Sequence, residues 1–161
     1  MKLITEEVSQ VKFITEGKGK SKRLCIEGVF LQGGIKNRNG RMYPVDILEN
    51  EVRRYNKTFV SQGRALGELG HPEGPTVNLD RVSHKITSLV REGNNFRGKA
   101  TLLSTPMGKI ASSLLDEGVK LGVSSRGIGS LRESSNGCKM VGEDFQSVSY
   151  THLTLPTKRI V

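Results

Sequence analysis

The sequence predicts an α+β domain: a mostly antiparallel β-barrel or sheet with two or three packed helices. Three observations lead there. Strand-like segments outnumber helical ones, the helical ones fall between strands without regular βαβ alternation, and no internal repeat breaks the pattern. A chain of 161 residues that is 35% apolar supports one core and therefore one domain.

The elements follow in order. Residues 1–23 mix charge, glycine and serine without periodicity and read as a loosely ordered leader, which holds the basic run GKGKSKR. The body starts at Leu24. LCIEGVFLQ, residues 24–32, is apolar and β-branched enough for a strand, which Gly33 and Gly34 end. Asn39-Gly40 favours positive backbone dihedrals and a tight turn. Pro44 suits the first position of a helix, and Leu48, Val52, Tyr55 and Phe59 fall on one face of it before Gly63. Residues 65–75, ALGELGHPEGP, contain three glycines and two prolines, which exclude a long regular element and fix a rigid loop carrying His71.

Residues 83–92 and 96–103 form a hairpin across Gly93-Asn94-Asn95. Thr105 as N-cap, Pro106 in the first turn and Gly118 past the end bracket a second helix. Its predicted buried stripe is Met107, Ile110, Ala111, Leu114 and Leu115. LGVSSRGIGSLRE, residues 121–133, reads as a strand that bends, and Asn136-Gly137 turns the chain into CKMV and then EDFQ.

Composition disfavours several classes of function. No apolar run approaches the roughly 20 residues of a membrane span, and two glutamates stand where a signal peptide would be apolar, which predicts a cytoplasmic protein with no membrane partner. Cys25 and Cys138 are isolated and read as reduced, structural thiols. His71, His84 and His152 form no cluster at metal-ligand spacing, and GVSSRGIG lacks the lysine of a phosphate-binding loop, so neither metal nor cofactor is expected. The net charge of +9 suits nucleic acid or an acidic protein as partner. Scattered basic residues and 5% aromatic content argue against a nucleic-acid groove.

Hydrolysis by serine needs a nucleophile, a base within hydrogen-bond reach, and donors for the developing oxyanion. The segment around Ser124 offers the first and third: flanking small residues can present the hydroxyl in the open, with the N–H groups of Arg126 and Gly127 nearby. His71, stiffened by Gly70 and Pro72, offers the base. Taken alone, each is better explained structurally, as a close-packed Gly/Ser strand and a loop histidine bonded to backbone. They gain weight as a pair.

ALGELGHP followed about fifty residues later by LGVSSRGIGSL resembles the prohead core proteases of T-even-type tailed phages, as do IEGVFLQ, KNRNGRMYP and GKATLL, over residues 24–145. The resemblance implies an assemblin-like serine endopeptidase that cleaves scaffold and major capsid proteins, largely after glutamate, and then itself. It would act inside the immature prohead in the host cytoplasm; self-association stays open. Carried over by position, the base is His71 and the nucleophile Ser124, with Ser125 second. Arg126 and Gly127 are the oxyanion or substrate-binding residues, and Arg41, Arg81 and Arg126 the partners for a substrate carboxylate. Glu68 reads first as a solvated loop carboxylate and second as an orienter of His71, while His84 reads as structural. The alternatives are a catalytically silent capsid- or scaffold-binding module and a basic nucleic-acid-binding protein.

The resemblance also implies an acidic third catalytic group near residues 151–152. His152 stands there, but residues 148–157, VSYTHLTLPT, resemble an in-frame translation of a sequencing-library adaptor. On that ground residues 24–147 are read as a catalytic domain lacking its third group, residues 148–161 as an artefactual tail, and the chain as a feeble or inactive peptidase.

Overall fold

The computed structural model describes residues 2–8, 12–16, 23–37, 39–70, 77–134 and 137–154. Eleven strands are defined there: β1 (Lys2–Val8), β2 (Lys12–Glu16), β3 (Arg23–Gln32), β4 (Arg41–Met42), β5 (Leu66–Leu69), β6 (Val82–Glu92), β7 (Asn95–Leu102), β8 (Gly122–Gly129), β9 (Leu131–Glu133), β10 (Lys139–Val141) and β11 (Gln146–Thr154). Two α-helices, α1 (Val45–Tyr55) and α2 (Pro106–Asp116), join them. Eight strands form one sheet in the order β1-β8-β11-β5-β6-β7-β3-β2, and β4-β10-β9 form a second. Pairing is antiparallel except between β11 and β5 and between β10 and β4. The α+β class is as the sequence predicts. Of the two predicted forms it takes the sheet, because β1 and β2 stand as separate edges rather than closing a barrel among the described residues.

Local sequence accounts for the secure elements. The β6–β7 hairpin turns at Gly93, whose φ of 66° an L-residue would resist. Thr105 caps α2 by accepting the Gly108 N–H at 3.0 Å, and Pro106 occupies its first turn. Helix α1 buries Leu48, Val52 and Tyr55 as predicted, and a π-helical turn, Asn56–Val60, carries its axis on to Phe59. Leu48, Tyr55, Phe30, Phe96 and Ile86 are among the residues of the apolar core between helices and sheet.

Two expectations are corrected. The α2 stripe is rotated: Gly108, Ala111 and Leu115 are buried while Ile110 is 46% exposed. A Cβ at residue 108 would lie 2.0 Å from the Leu103 carbonyl oxygen, so close backbone contact at Gly108, invisible to apolar periodicity, sets the rotation. Residues 1–23, read as loose, supply β1 along β8 and β2 along β3. Edge strands are held by ladder hydrogen bonds to the neighbouring strand's backbone and need little apolar content of their own. The basic run at residues 17–22 lies outside the described residues.

The turn before β11 is tied to the end of β8 by Asp144, whose Oδ1 accepts from the Ser130 N–H at 3.0 Å and its hydroxyl at 2.8 Å. These bonds, the backbone one foremost, hold the Asp144 carboxyl below the ordinary aspartate value. A depressed folded-state value stabilises above the unfolded pKa, about 3.9, and the effect is lost as pH falls through the folded value. The stability difference between the protein and Asp144→Asn should therefore be present at pH 6 and vanish by about pH 2. Urea midpoints across that range test it, and a difference independent of pH would contradict it.

Candidate active site

The nucleophile predicted at Ser124 lies on β8, the strand between edge strand β1 and β11. Ser124 is fully buried rather than displayed as its small neighbours suggest. Strand parity separates the two candidate serines. Alternate residues share a face, so Ser124, Arg126 and Ile128 point one way and Val123, Ser125 and Gly127 the other. On the second face a Cβ at residue 127 would lie 2.4 Å from the Phe145 ring, which accounts for Gly127 by packing.

The first face carries the polar constellation. Arg126, 3% exposed, extends its guanidinium across β11 to Glu68 on β5, with Nη2 2.8 Å from Oε1. The other carboxylate oxygen of Glu68 accepts from Asn78 Nδ2 at 3.1 Å. Glu68 is thus fully buried and ion-paired, which corrects its reading as a solvated loop carboxylate. The signal that sequence reasoning missed is its parity: in LGEL, Glu68 shares a face with Leu66, on a strand that sits inside the sheet. Arg126 likewise has its guanidinium ion-paired with Glu68 inside the sheet.

Register aligns these residues. Residue 152 on β11 sits opposite Ser124 in the antiparallel ladder and opposite Glu68 in the parallel one, so Ser124 and Glu68 are two strand spacings apart, about 10 Å. β11 is irregular here, with bulges between Ser147 and Ser149 and between Ser149 and His152, bracketing the partner of Arg126. A bulge interrupts the ladder and leaves backbone groups unpaired, as often happens beside active sites. From α1, buried Glu51 braces the first bulge by accepting the Ser147 N–H at 2.9 Å, while Arg54 pairs with its other oxygen.

His71 itself lies outside the described residues, but the neck of its loop is defined. β5 ends at Leu69, Gly70 takes φ 84°, and the chain is described again from Val77. Arg81 Nη2 donates to the Leu69 carbonyl at 2.8 Å, so this arginine grips backbone. Arg41 belongs to the second sheet, opposite Lys139. His84 is structural in its setting: fully buried on β6, it shares a 2.7 Å hydrogen bond through Nδ1 with the Ser83 hydroxyl.

Along the same face as Ser124 runs a cleft of about 410 Å³ whose lining includes Tyr55, Phe59, Leu66, Leu79 and Ile128, with Arg54 and Arg64 at its polar wall. Burial pushes the Tyr55 phenol well above its ordinary value, so it stays protonated. Among the described residues no three His, Cys, Asp or Glu side chains converge on a metal position, and no helix is long and apolar enough to cross a membrane. Cys25 and Cys138 are free and buried.

The sequence matches the family described as prohead core protein serine protease over residues 5–153. That span includes residues read above as a leader and as a tail. The chain is 37% identical over 126 residues to the prohead core protein protease of Enterobacteria phage T4, covering 76% of this chain and only 59% of that protein's length. Its fold is similar to the solved structure of the bacteriophage T4 capsid assembly protease, gp21, with a TM-score of 0.87 at 32% identity, covering 94% of this chain and 96% of that one.

Position 67 tests the packing beside the site. The His84 imidazole lies against Gly67 so closely that a Cβ there would be 2.0 Å from Nε2. Gly67→Ala must displace a fully buried ring and should cost about 1–3 kcal/mol in urea unfolding. A loss under about 0.5 kcal/mol would contradict the packing.

Proposed function

The chain belongs to the prohead core protein serine protease family, and on that premise we propose that it is a serine endopeptidase with Ser124 as nucleophile and His71 as general base. The observation that carries the assignment is the shared face: Ser124, and not Ser125, lies on the side of β8 that is tied through Arg126 to Glu68, three residues before His71. In the proposed reaction Ser124 Oγ attacks the scissile carbonyl carbon as His71 takes its proton. The tetrahedral intermediate collapses when His71 protonates the leaving amine, and water then hydrolyses the acyl-enzyme by the same route. Backbone N–H groups of Arg126 or Gly127, opposite the β11 bulges, are the proposed oxyanion donors.

The substrates we propose are the scaffold and major capsid proteins of the immature prohead, cut largely after glutamate, together with the chain itself. The prohead would lie in the host cytoplasm. Arg64 along an apolar-walled cleft supports an acidic, extended peptide as ligand. A catalytically silent module on the same fold would bind such chains without reacting.

A fluorophosphonate separates these readings. The protein should be labelled, Ser125→Ala should be labelled equally, and Ser124→Ala should not be. Labelling lost with Ser125→Ala but retained with Ser124→Ala would exchange the serines, and no labelling of the unaltered chain would favour the silent module. A second test concerns the third catalytic group, proposed as an acid at residue 152, the position opposite Ser124. His152→Asp should raise kcat/KM on a peptide with glutamate before the scissile bond by about 100-fold. No gain would remove position 152 from the mechanism.

A further inference from the structure

We infer that the cleft of about 410 Å³ on the Ser124 face is a docking site for a segment of the substrate chain away from the bond that is cut, and that Ser147 and Arg64 recognise it. The segment is short and extended, with an apolar side chain beside a glutamate or aspartate. Its effect on turnover rests on the peptidase reading; its binding does not.

Ser147 is the residue that calls for a ligand. Its backbone is fixed, since Glu51 on α1 accepts the Ser147 N–H at 2.9 Å. Its side chain lines the cleft and the residue is 5% exposed, yet Oγ has no hydrogen-bond partner among the described residues. Buried polar atoms are nearly always paired, and an unpaired buried hydroxyl costs stability that alanine at the same position would not. A peptide backbone laid in the cleft supplies the partner, because a hydroxyl can donate to a carbonyl or accept from an N–H.

The walls define the rest of the ligand. Tyr55, Phe59, Leu66, Leu79 and Ile128 supply apolar surface, of which Leu79 is 77% exposed and gains from being covered. Two cations, Arg54 and Arg64, belong to the lining, and no acid does. Arg54 is paired with Glu51 and lies over the Phe59 ring. Arg64 is exposed and takes part in none of the ion pairs among the described residues, so its charge is open to a carboxylate. A neighbouring cleft of about 450 Å³ shares Arg54 and Gln146 but carries Asp46, Glu143 and Asp144, which repel a carboxylate. Charge therefore selects between the two.

The docking cleft is set apart from the reacting atoms. Ser147 faces Gly127, about 10 Å along β8 from Ser124, and Ile128 is about 13 Å along it. An extended chain advances at most about 3.3–3.6 Å per residue, so the docked side chain and the residue at the cut bond are several positions apart. Such contacts hold substrate and transition state alike, which lowers KM and leaves kcat unchanged.

The probe is a fluorescein-labelled hexapeptide with one phenylalanine beside one glutamate, and its binding to the full chain is read by anisotropy. The unaltered protein and Ser124→Ala should bind it within twofold of one another. Glutamine in place of the peptide's glutamate, or Arg64→Gln in the protein, should weaken binding about tenfold or more, as loss of a charged hydrogen bond does. The two changes together should add nothing further. Ser147→Ala should weaken binding about three- to tenfold while its urea midpoint stays at or above the unaltered value. Arg53→Gln, whose side chain is 73% exposed outside the cleft, is the control and should change nothing. With the same segment joined to a cleavable peptide, Arg64→Gln should raise KM with kcat within twofold. Equal binding of the glutamate and glutamine peptides, or no binding of either, would overturn the docking site, as would Ser147→Ala binding like the unaltered protein. Loss of binding in Ser124→Ala would place the ligand at the reaction centre and overturn it too. A chain that fluorophosphonate does not label, yet binds the peptides as expected, would sink the peptidase reading and uphold the docking site.

Discussion

A carboxylate withdrawn from water on an interior strand needs a cation, and Glu68 finds one two strands away. The Arg126–Glu68 pair joins β8 to β5 over the top of β11. Much of the site's geometry depends on it. Removing one partner of such a pair typically costs about 3–5 kcal/mol, because the other charge is left buried and uncompensated. A second buried acid, Glu51, plays a comparable part from the helical layer by holding the Ser147 N–H where β11 first bulges. Of the two carboxylates, Glu51 pins the irregular strand and Glu68 takes part in the pair that bridges it.

The elements legible in the sequence are those specified by short-range chemistry. The N-cap at Thr105 with Pro106, the β6–β7 turn at Gly93, and the apolar face of α1 all rest on residues within a few positions of one another. Strands β1 and β2 were hidden because an edge strand's stability lies in its partner's backbone, and those partners come from residues 123–129 and 23–27. The rotation of α2 was hidden for a related reason. Ile110 looks buried by period, yet the contact that sets the helix is Gly108 against the Leu103 and Ser83 carbonyls.

The site divides along the same line. Ser124 was legible as a member of a motif. What no spacing conveys is the partner set of Glu68, an acid beside glycines and a histidine that composition assigns to solvent. Its neighbours Asn78 and Arg126 lie 10 and 58 residues away along the chain. Arg126 shows the converse. A basic residue in a Ser-Ser-Arg-Gly motif reads as a partner for substrate, and no local pattern points to its ion pair with Glu68.

The place of β11 in the sheet bears on when the protein can work as well as how. β5 and β8 share no ladder of their own; both pair with β11, which follows them in the chain. A nascent chain that has emerged only through residue 129 holds Ser124 and Glu68 yet has no strand to join β8 to β5. Assembly of the β8-β11-β5 row is thereby deferred until residues 146–154 are made. Any chemistry that needs this row waits for the same event.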